Sequence, residues 1–193
     1  NLAGDDSGID LSTNDQIILK TANTSAITID SSQVATFSQI PSGTFIAMAD
    51  QWRNTTDLTA DTDPITTLER VDEASSGIIG TGMTETSGEF TFPTTGIYFI
   101  TMKVGLRPNN DVNMGVYAYV DTGSGYDLYD VVEAGITSGE NRSYGYGSLI
   151  LDVTNTSTHK IKFSVVGMTS GCIVFGNTNY NRTAFTFIRL GNT

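Results

Sequence analysis

Gly88-Glu-Phe-Thr-Phe-Pro-Thr-Thr-Gly-Ile-Tyr-Phe99 is the stretch whose reading decides the fold. Phe90 and Phe92 stand two apart, so on a strand both point to one face while Glu89 and Thr91 point to the other. Pro93 lacks the N–H a ladder needs and ends that strand, and Gly96 supplies the positive φ a tight connection can require. A second strand starts at once: Tyr98, Ile100, Met102, Val104 and Leu106 keep one face apolar, while Ile97 and Phe99 begin the opposite face. The spacing predicts a hairpin with four aromatic rings, the nucleus of a β-sandwich core.

Working outward, alternation recurs. Val112, Met114, Val116, Ala118 and Val120 alternate with Asn113, Gly115, Tyr117, Tyr119 and Asp121, and Asp121–Gly125 reads as the following hairpin loop. Tyr126–Glu133 reads as a mixed strand with its carboxylates facing water. Ser143–Val153 and Lys160–Val166 read as a pair, with Leu149, Leu151 and Val153 against Ile161, Phe163 and Val165. Gly43–Asp50 reads as an opening strand, Ile78-Ile79 as a brief pairing, and 171–175 and 182–190 as the closing segments. Strands at this density with Gly, Asn and Pro between them suit an all-β, two-sheet antiparallel jelly roll.

Particular residues carry a family resemblance. Gly88, Phe90, Pro93, Gly96, Tyr98 and Phe99 together resemble the central signature of C1q/TNF-like domains. Thr183-Ala-Phe-Thr-Phe-Ile-Arg-Leu190 is similar to that family's closing strand, and Ser148–Val153 to its apolar strand before the last hairpin. The Gly-Asp usual after that strand is replaced by Asn155-Thr-Ser-Thr-His159. The resemblance covers residues 43–193. It implies a jelly-roll head that forms a homotrimer, with aromatic-rich faces of three sheets meeting around an axis. Phe45, Phe90, Phe92, Tyr98, Phe99, Phe185 and Phe187 are the expected core and trimer-packing residues.

Residues 1–42 read differently. Ile9-x-Leu11, Ile17-x-Leu19 and Ile27-x-Ile29 repeat as short apolar pairs separated by Ser, Thr, Asn and Asp. Each unit has little to bury, so the expectation is a β-structured stalk in which three chains supply walls for one another. This segment resembles the trimeric stalks of bacteriophage tail fibres, and Ser38–Gly43 marks the boundary with the head. Because the chain opens on Asn1 rather than Met, it is expected to be a piece of a longer polypeptide.

Ten basic and twenty-one acidic residues give a net charge of −11. A field of that sign repels phosphate backbones and anionic lipid, which argues against nucleic acid as a partner, and no apolar run approaches a membrane span. Cys172 is alone and sits among apolar neighbours, so it reads as a small buried hydrophobe. His159 is the single histidine, in a polar turn and with no Gly-x-Ser-x-Gly elbow to serve. One His and one Cys do not make a zinc site, and no calcium, phosphate or dinucleotide motif appears, so no metal or cofactor is expected. Asp72/Glu73, Asp127/Asp130 and Glu133/Glu140 are the carboxylate pairs a glycan hydrolase could use. Twenty-one acids make such pairs common by chance, and no catalytic residue is assigned. Asn-x-Ser/Thr triplets at Asn23, Asn54, Asn141, Asn155 and Asn181 follow from the composition.

The better functional residues are aromatics in polar settings. Asn141-Arg-Ser-Tyr-Gly-Tyr146 and Asn177-Thr-Asn-Tyr-Asn-Arg182 both read as loops combining Tyr, Asn and Arg. Tyr rings stack on sugars or apolar patches at low entropy cost, and Asn and Arg add directional hydrogen bonds. Tyr126, Tyr144, Tyr146, Asn179, Tyr180 and Asn181 are the expected receptor-binding residues. The reading is a non-enzymatic, homotrimeric virion fibre tip that attaches to a host cell-surface receptor or glycan. The alternatives are a secreted C1q-like adhesion or signalling module and, third, a fibre-borne glycan hydrolase.

Overall fold

The computed structural model describes residues 8–10, 17–21, 24–30, 32, 35–37 and 46–193. The chain forms two compact units, Asn1–Phe45 and Ile46–Thr193. The expected boundary 38–43, with Phe45, lies outside the described residues.

In the first unit β1 (Gly8–Asp10), β2 (Ile17–Thr21), β3 (Thr24–Ile29) and β4 (Ala35–Phe37) form one antiparallel sheet in chain order. Its register lines up the apolar repeat: Ile9 lies opposite Leu19, Leu19 opposite Ile27, and Ile27 opposite Phe37. Neighbouring strands of the one chain thus satisfy one another's backbone groups. Burial is another matter. Ile18, Leu19, Ile27 and Ile29 are only half-buried and Ile17 is exposed.

The second unit is a sandwich of two antiparallel sheets. One contains β7 (Thr84–Thr86), β8 (Glu89–Thr91), β10 (Met114–Asp121), β11 (Tyr126–Ala134) and β13 (Lys160–Val166), in the order β11-β10-β13-β8-β7. The other contains β5 (Met48–Asn54), β6 (Leu68–Arg70), β9 (Gly96–Arg107), β12 (Ser143–Val153) and β15 (Ala184–Gly191), in the order β12-β9-β15-β5-β6. The short β14 (Ile173–Val174) pairs with the end of β9.

Gly88–Phe99 does not form a hairpin. β8 pairs with β7 and β13, whereas β9 pairs with β12 and β15 in the opposite sheet. Pro93–Thr95 therefore carries the chain across the sandwich, and the Tyr98 hydroxyl donates to the Thr94 carbonyl at 2.8 Å to tie the corner. Gly96 takes φ +146°, and a Cβ there would fall 2.4 Å from the Gly191 carbonyl oxygen. The hairpin in this region is β7–β8, turning through Ser87 and Gly88, both at positive φ.

A second pairing is also reassigned: β12 lies against β9, and β13 between β10 and β8. Leu151 and Val153 join Ile161, Phe163 and Val165 in one core contributed by opposite sheets. Alternation specifies which face is buried but not which strand supplies the hydrogen bonds. The alternation before Tyr117 also starts later than its pattern suggests. Val112 is exposed and β10 begins at Met114, because the Asp111 carboxylate accepts the Asn113 N–H in a tight turn.

The two sheets meet through aromatic rings. Phe90 and Phe163 come from one sheet, and Trp52, Phe185 and Phe187 from the other. Phe163 stacks on Phe185 with centroids 3.7 Å apart, and Phe90 touches Trp52 and Phe187 at 5.4 and 5.0 Å. Phe92 packs edge-on against Tyr98. All of these rings are buried; Phe99 is on the outer face and half-buried.

Candidate functional site: the outer face of the six-stranded sheet

The register of β12, β9, β15 and β5 arranges the outward side chains in rows across the sheet. Ile150, Phe99, Ile188 and Ala49 form one row. Ser148, Thr101, Thr186 and Gln51 form the next, and Tyr146, Lys103, Ala184 and Arg53 the one beyond. The face thus changes from apolar to polar along the strands, and then to a row where Tyr146 and Lys103 stand beside buried Ala184 and the carboxylate-paired Arg53. Edge strand β12 leaves Ile150 67% exposed at one end, and Tyr144 and Tyr146 at 51% and 74% at the other.

The apolar row is extended at its margin by Ile79, whose backbone exchanges two hydrogen bonds with Ala49. Ile46, Ile78, Ile79 and Leu190 are all exposed. In the polar row Gln51 Nε2 donates to Thr186 Oγ1 at 2.7 Å, and Asn181 Nδ2 donates to Gln51 Oε1 at 2.6 Å.

Beyond the third row the two Tyr/Asn/Arg segments meet across β9. Lys103 Nζ donates to the Asn181 carbonyl at 2.8 Å and lies 5.5 Å from the Tyr144 ring centroid. Phe175 is buried beside two guanidinium groups, with Arg142 Cζ 5.1 Å and Arg182 Cζ 4.8 Å from its centroid. Arg182 also lies 5.4 Å from the Tyr180 ring. Gly105 makes this convergence possible: a Cβ there would sit 2.9 Å from Tyr144 Cε1 and 3.3 Å from Phe175 Cδ2. Tyr144 and Tyr146 stand on β12 rather than in a loop, which fixes their spacing and outward direction. Asn179 and Tyr180 are exposed in the 176–183 connection and Asn181 is half-buried beneath them.

Tyr126 is not part of this cluster. It lies on the outer face of the other sheet, where its hydroxyl donates to Glu89 Oε1 at 2.5 Å and Lys162 Nζ stands 4.6 Å from its ring. Burial and the neighbouring Glu89 carboxylate raise its pKa well above the ordinary value. Glu89 in turn is lowered, by the Tyr126 hydroxyl and then by Lys160.

Two of the three carboxylate pairs are engaged by other side chains. Asp72 and Glu73 both bond Arg53, a guanidinium 1% exposed that also donates to Glu69 at 2.7 Å. Burial opposes the Arg53 charge, but hydrogen bonds to Glu73 and Glu69 outweigh it and raise its pKa. Glu133 accepts the Tyr117 hydroxyl, and Glu140 lies 3.5 Å from Arg107 Nε. His159, expected in a polar turn, is buried beside Thr158, its Nδ1 3.2 Å from Oγ1. Cys172 is buried with its thiol donating to Asp111 Oδ2 at 3.3 Å. Asn54 is fully buried, with its amide donating to the Thr56 carbonyl, so its triplet offers no glycan site in the folded head. Among the described residues no three His, Cys, Asp or Glu side chains are grouped to hold a metal.

Neither known family models nor curated protein sequences give a match to the chain. Solved structures do. Eiger TNF from S. frugiperda matches with a TM-score of 0.60 at 10% identity, covering 77% of this chain and 96% of that one. Murine APRIL matches at 0.55 and 12% identity, covering 74% and 98%. The globular domain of zebrafish complement 1qA matches at 0.50 and 14%, covering 75% and 98%. At such identities the likeness is one of fold, and the head has the C1q/TNF-like jelly-roll fold.

Proposed function

We propose that the chain is the homotrimeric tip of a virion fibre, a non-enzymatic module that attaches to a host-surface molecule. The observation that carries this reading is the graded outer face of the six-stranded sheet. Its apolar end presents Ile150, Phe99 and Ile188 in one row, on a protein whose core is already filled by other residues. Contiguous exposed apolar surface marks an interaction site. A second and a third copy of the chain are its occupants, as the C1q/TNF-like resemblance implies. The half-buried isoleucines of the first unit gain cover from the same threefold arrangement, which favours a fibre over a free secreted module.

The cationic and aromatic end remains for the attachment target. Three copies held together raise weak single-site affinity by about 10²–10⁴ where geometry permits. The hydrolase alternative loses one of its three pairs, because Asp72 and Glu73 are both committed to Arg53. The test is adsorption of the full chain to a panel of bacterial cells, compared with Ile150→Arg. The wild type is expected to be retained as a trimer on at least one strain. The variant, reduced to single chains, is expected to wash off about 10²-fold faster. Equal retention of trimeric wild type and single-chain variant would contradict the reading.

A further inference from the structure

We infer that the cationic end of this face is a site for an acidic saccharide, with the sugar ring against Tyr144 or Tyr180 and its carboxylate held by Arg142 and Arg182. This rests on the attachment reading above and names the chemistry of its target.

The chain carries a net charge of −11, yet three of its ten basic residues, Lys103, Arg142 and Arg182, gather around one buried ring and one glycine. Both guanidinium carbons face Phe175, so the two charges are no farther apart than those two distances combined. Among the described residues Arg53, Arg70, Arg107, Lys160 and Lys162 each have a carboxylate within ion-pair distance, and Arg189, which has none, donates instead to the Thr95 carbonyl and Asn192 Oδ1. Lys103, Arg142 and Arg182 have none among the described residues. Like charges brought together without a carboxylate are relieved by a bound anion. The carboxylate that acts on Arg182 is Asp57, which accepts the Gly176 N–H and does not pair with the guanidinium.

Two buried polar atoms of adjacent residues point to more than a bare anion. Asn181 Oδ1 and Arg182 Nε are shielded from solvent and have no hydrogen-bond partner in the protein. Asn181 Oδ1 accepts only and Arg182 Nε donates only. A ligand meeting both carries a donor as well as an acceptor, as sugar hydroxyls do and a fully ionised phosphate ester does not. Both guanidinium groups lie over the Phe175 ring, and a guanidinium fork suits the geometry of a carboxylate. The exposed Tyr144 and Tyr180 faces beside them provide a surface for a pyranose ring. A nucleic acid strand does not fit this account, since its backbone would extend over the surrounding acidic surface.

The test titrates the full chain with sialyllactose and trigalacturonic acid, with lactose and maltotriose as neutral counterparts, and with inorganic phosphate. At least one acidic probe is expected to bind ten-fold or more tightly than its neutral counterpart. Arg182→Gln and, separately, the exposed Tyr180→Ala are each expected to weaken it at least five-fold with unchanged thermal unfolding. Preference for neither acidic probe, or binding indifferent to both substitutions, overturns the inference. Phosphate competing as well as the acidic sugar reduces the site to an anion seat and overturns the sugar assignment. Light scattering on the same samples separates the two readings. A trimer that ignores acidic sugars defeats only this inference, whereas a single chain that binds them defeats the trimer.

Discussion

The two ends of one sheet face obey different rules. At one end Ile150, Phe99 and Ile188 repeat across three strands and offer only shape and apolar area. At the other, Tyr144, Lys103, Phe175, Arg142 and Arg182 come from four separate segments, held by one hydrogen bond and a set of ring contacts. An apolar row is generic, and burying it is favourable at roughly 25 cal/mol per Å² whatever the partner, provided the surfaces match. A cluster of oriented charges and rings is selective, because each group must find its complement. Self-association fits the first kind of surface and recognition the second.

Substitutions can break that division from the core outward. Phe185→Ala, beneath both ends and stacked on Phe163, is expected to cost about 3–5 kcal/mol in urea unfolding and to abolish assembly and binding together. A loss below about 1 kcal/mol would remove Phe185 from the core that positions the face. Ile150→Arg, on the apolar row, is expected to convert trimer to single chains while leaving head stability within about 0.5 kcal/mol, as surface substitutions do. Tyr144→Ala combined with Tyr180→Ala is expected to leave the mass unchanged and weaken surface binding about ten-fold, or 1.4 kcal/mol. Dissociation by the double variant would mean that the tyrosines belong to the seam, and the division would fail.

The smallest expected effect sharpens the comparison by separating the face from the body of the head. Asp63 is lowered by Lys162 and then Ser164, Glu89 by Tyr126 and then Lys160, and Asp111 by the Asn113 N–H. A carboxylate lowered in the folded state stabilises it above the ordinary value, and that stability is lost as pH falls through the folded value. Melting temperature is therefore expected to hold near neutrality and to fall below about pH 4, with a shallower fall in Glu89→Gln. An unchanged slope in that variant would show that the Glu89, Tyr126 and Lys160 cluster contributes nothing to acid stability.

Much of the fold was legible because burial has a period. Met114–Val120 and Tyr98–Val104 announced their buried faces, and the Gly88, Pro93, Gly96 and Tyr98 spacing announced the jelly roll. Pairing was not legible: the Pro93–Gly96 segment has the residues of a tight turn, yet it joins opposite sheets. Nothing local records which sheet the next strand enters. The site was legible in halves. The segments around Tyr144 and Tyr180 stood out by composition, but Lys103 and Phe175, which join them, lie in ordinary strand and turn contexts. Tyr126, flanked by Gly and Asp rather than Asn and Arg, is held by Glu89 on the other sheet, because exposure and neighbours are set by register.

The account rests on the apolar row being covered by copies of the chain, and mass in solution tests it most directly. Sedimentation equilibrium of the full chain at micromolar concentration is expected to give three times the 20.6 kDa of one chain. A single species of 20.6 kDa, unchanged by further concentration, would contradict it.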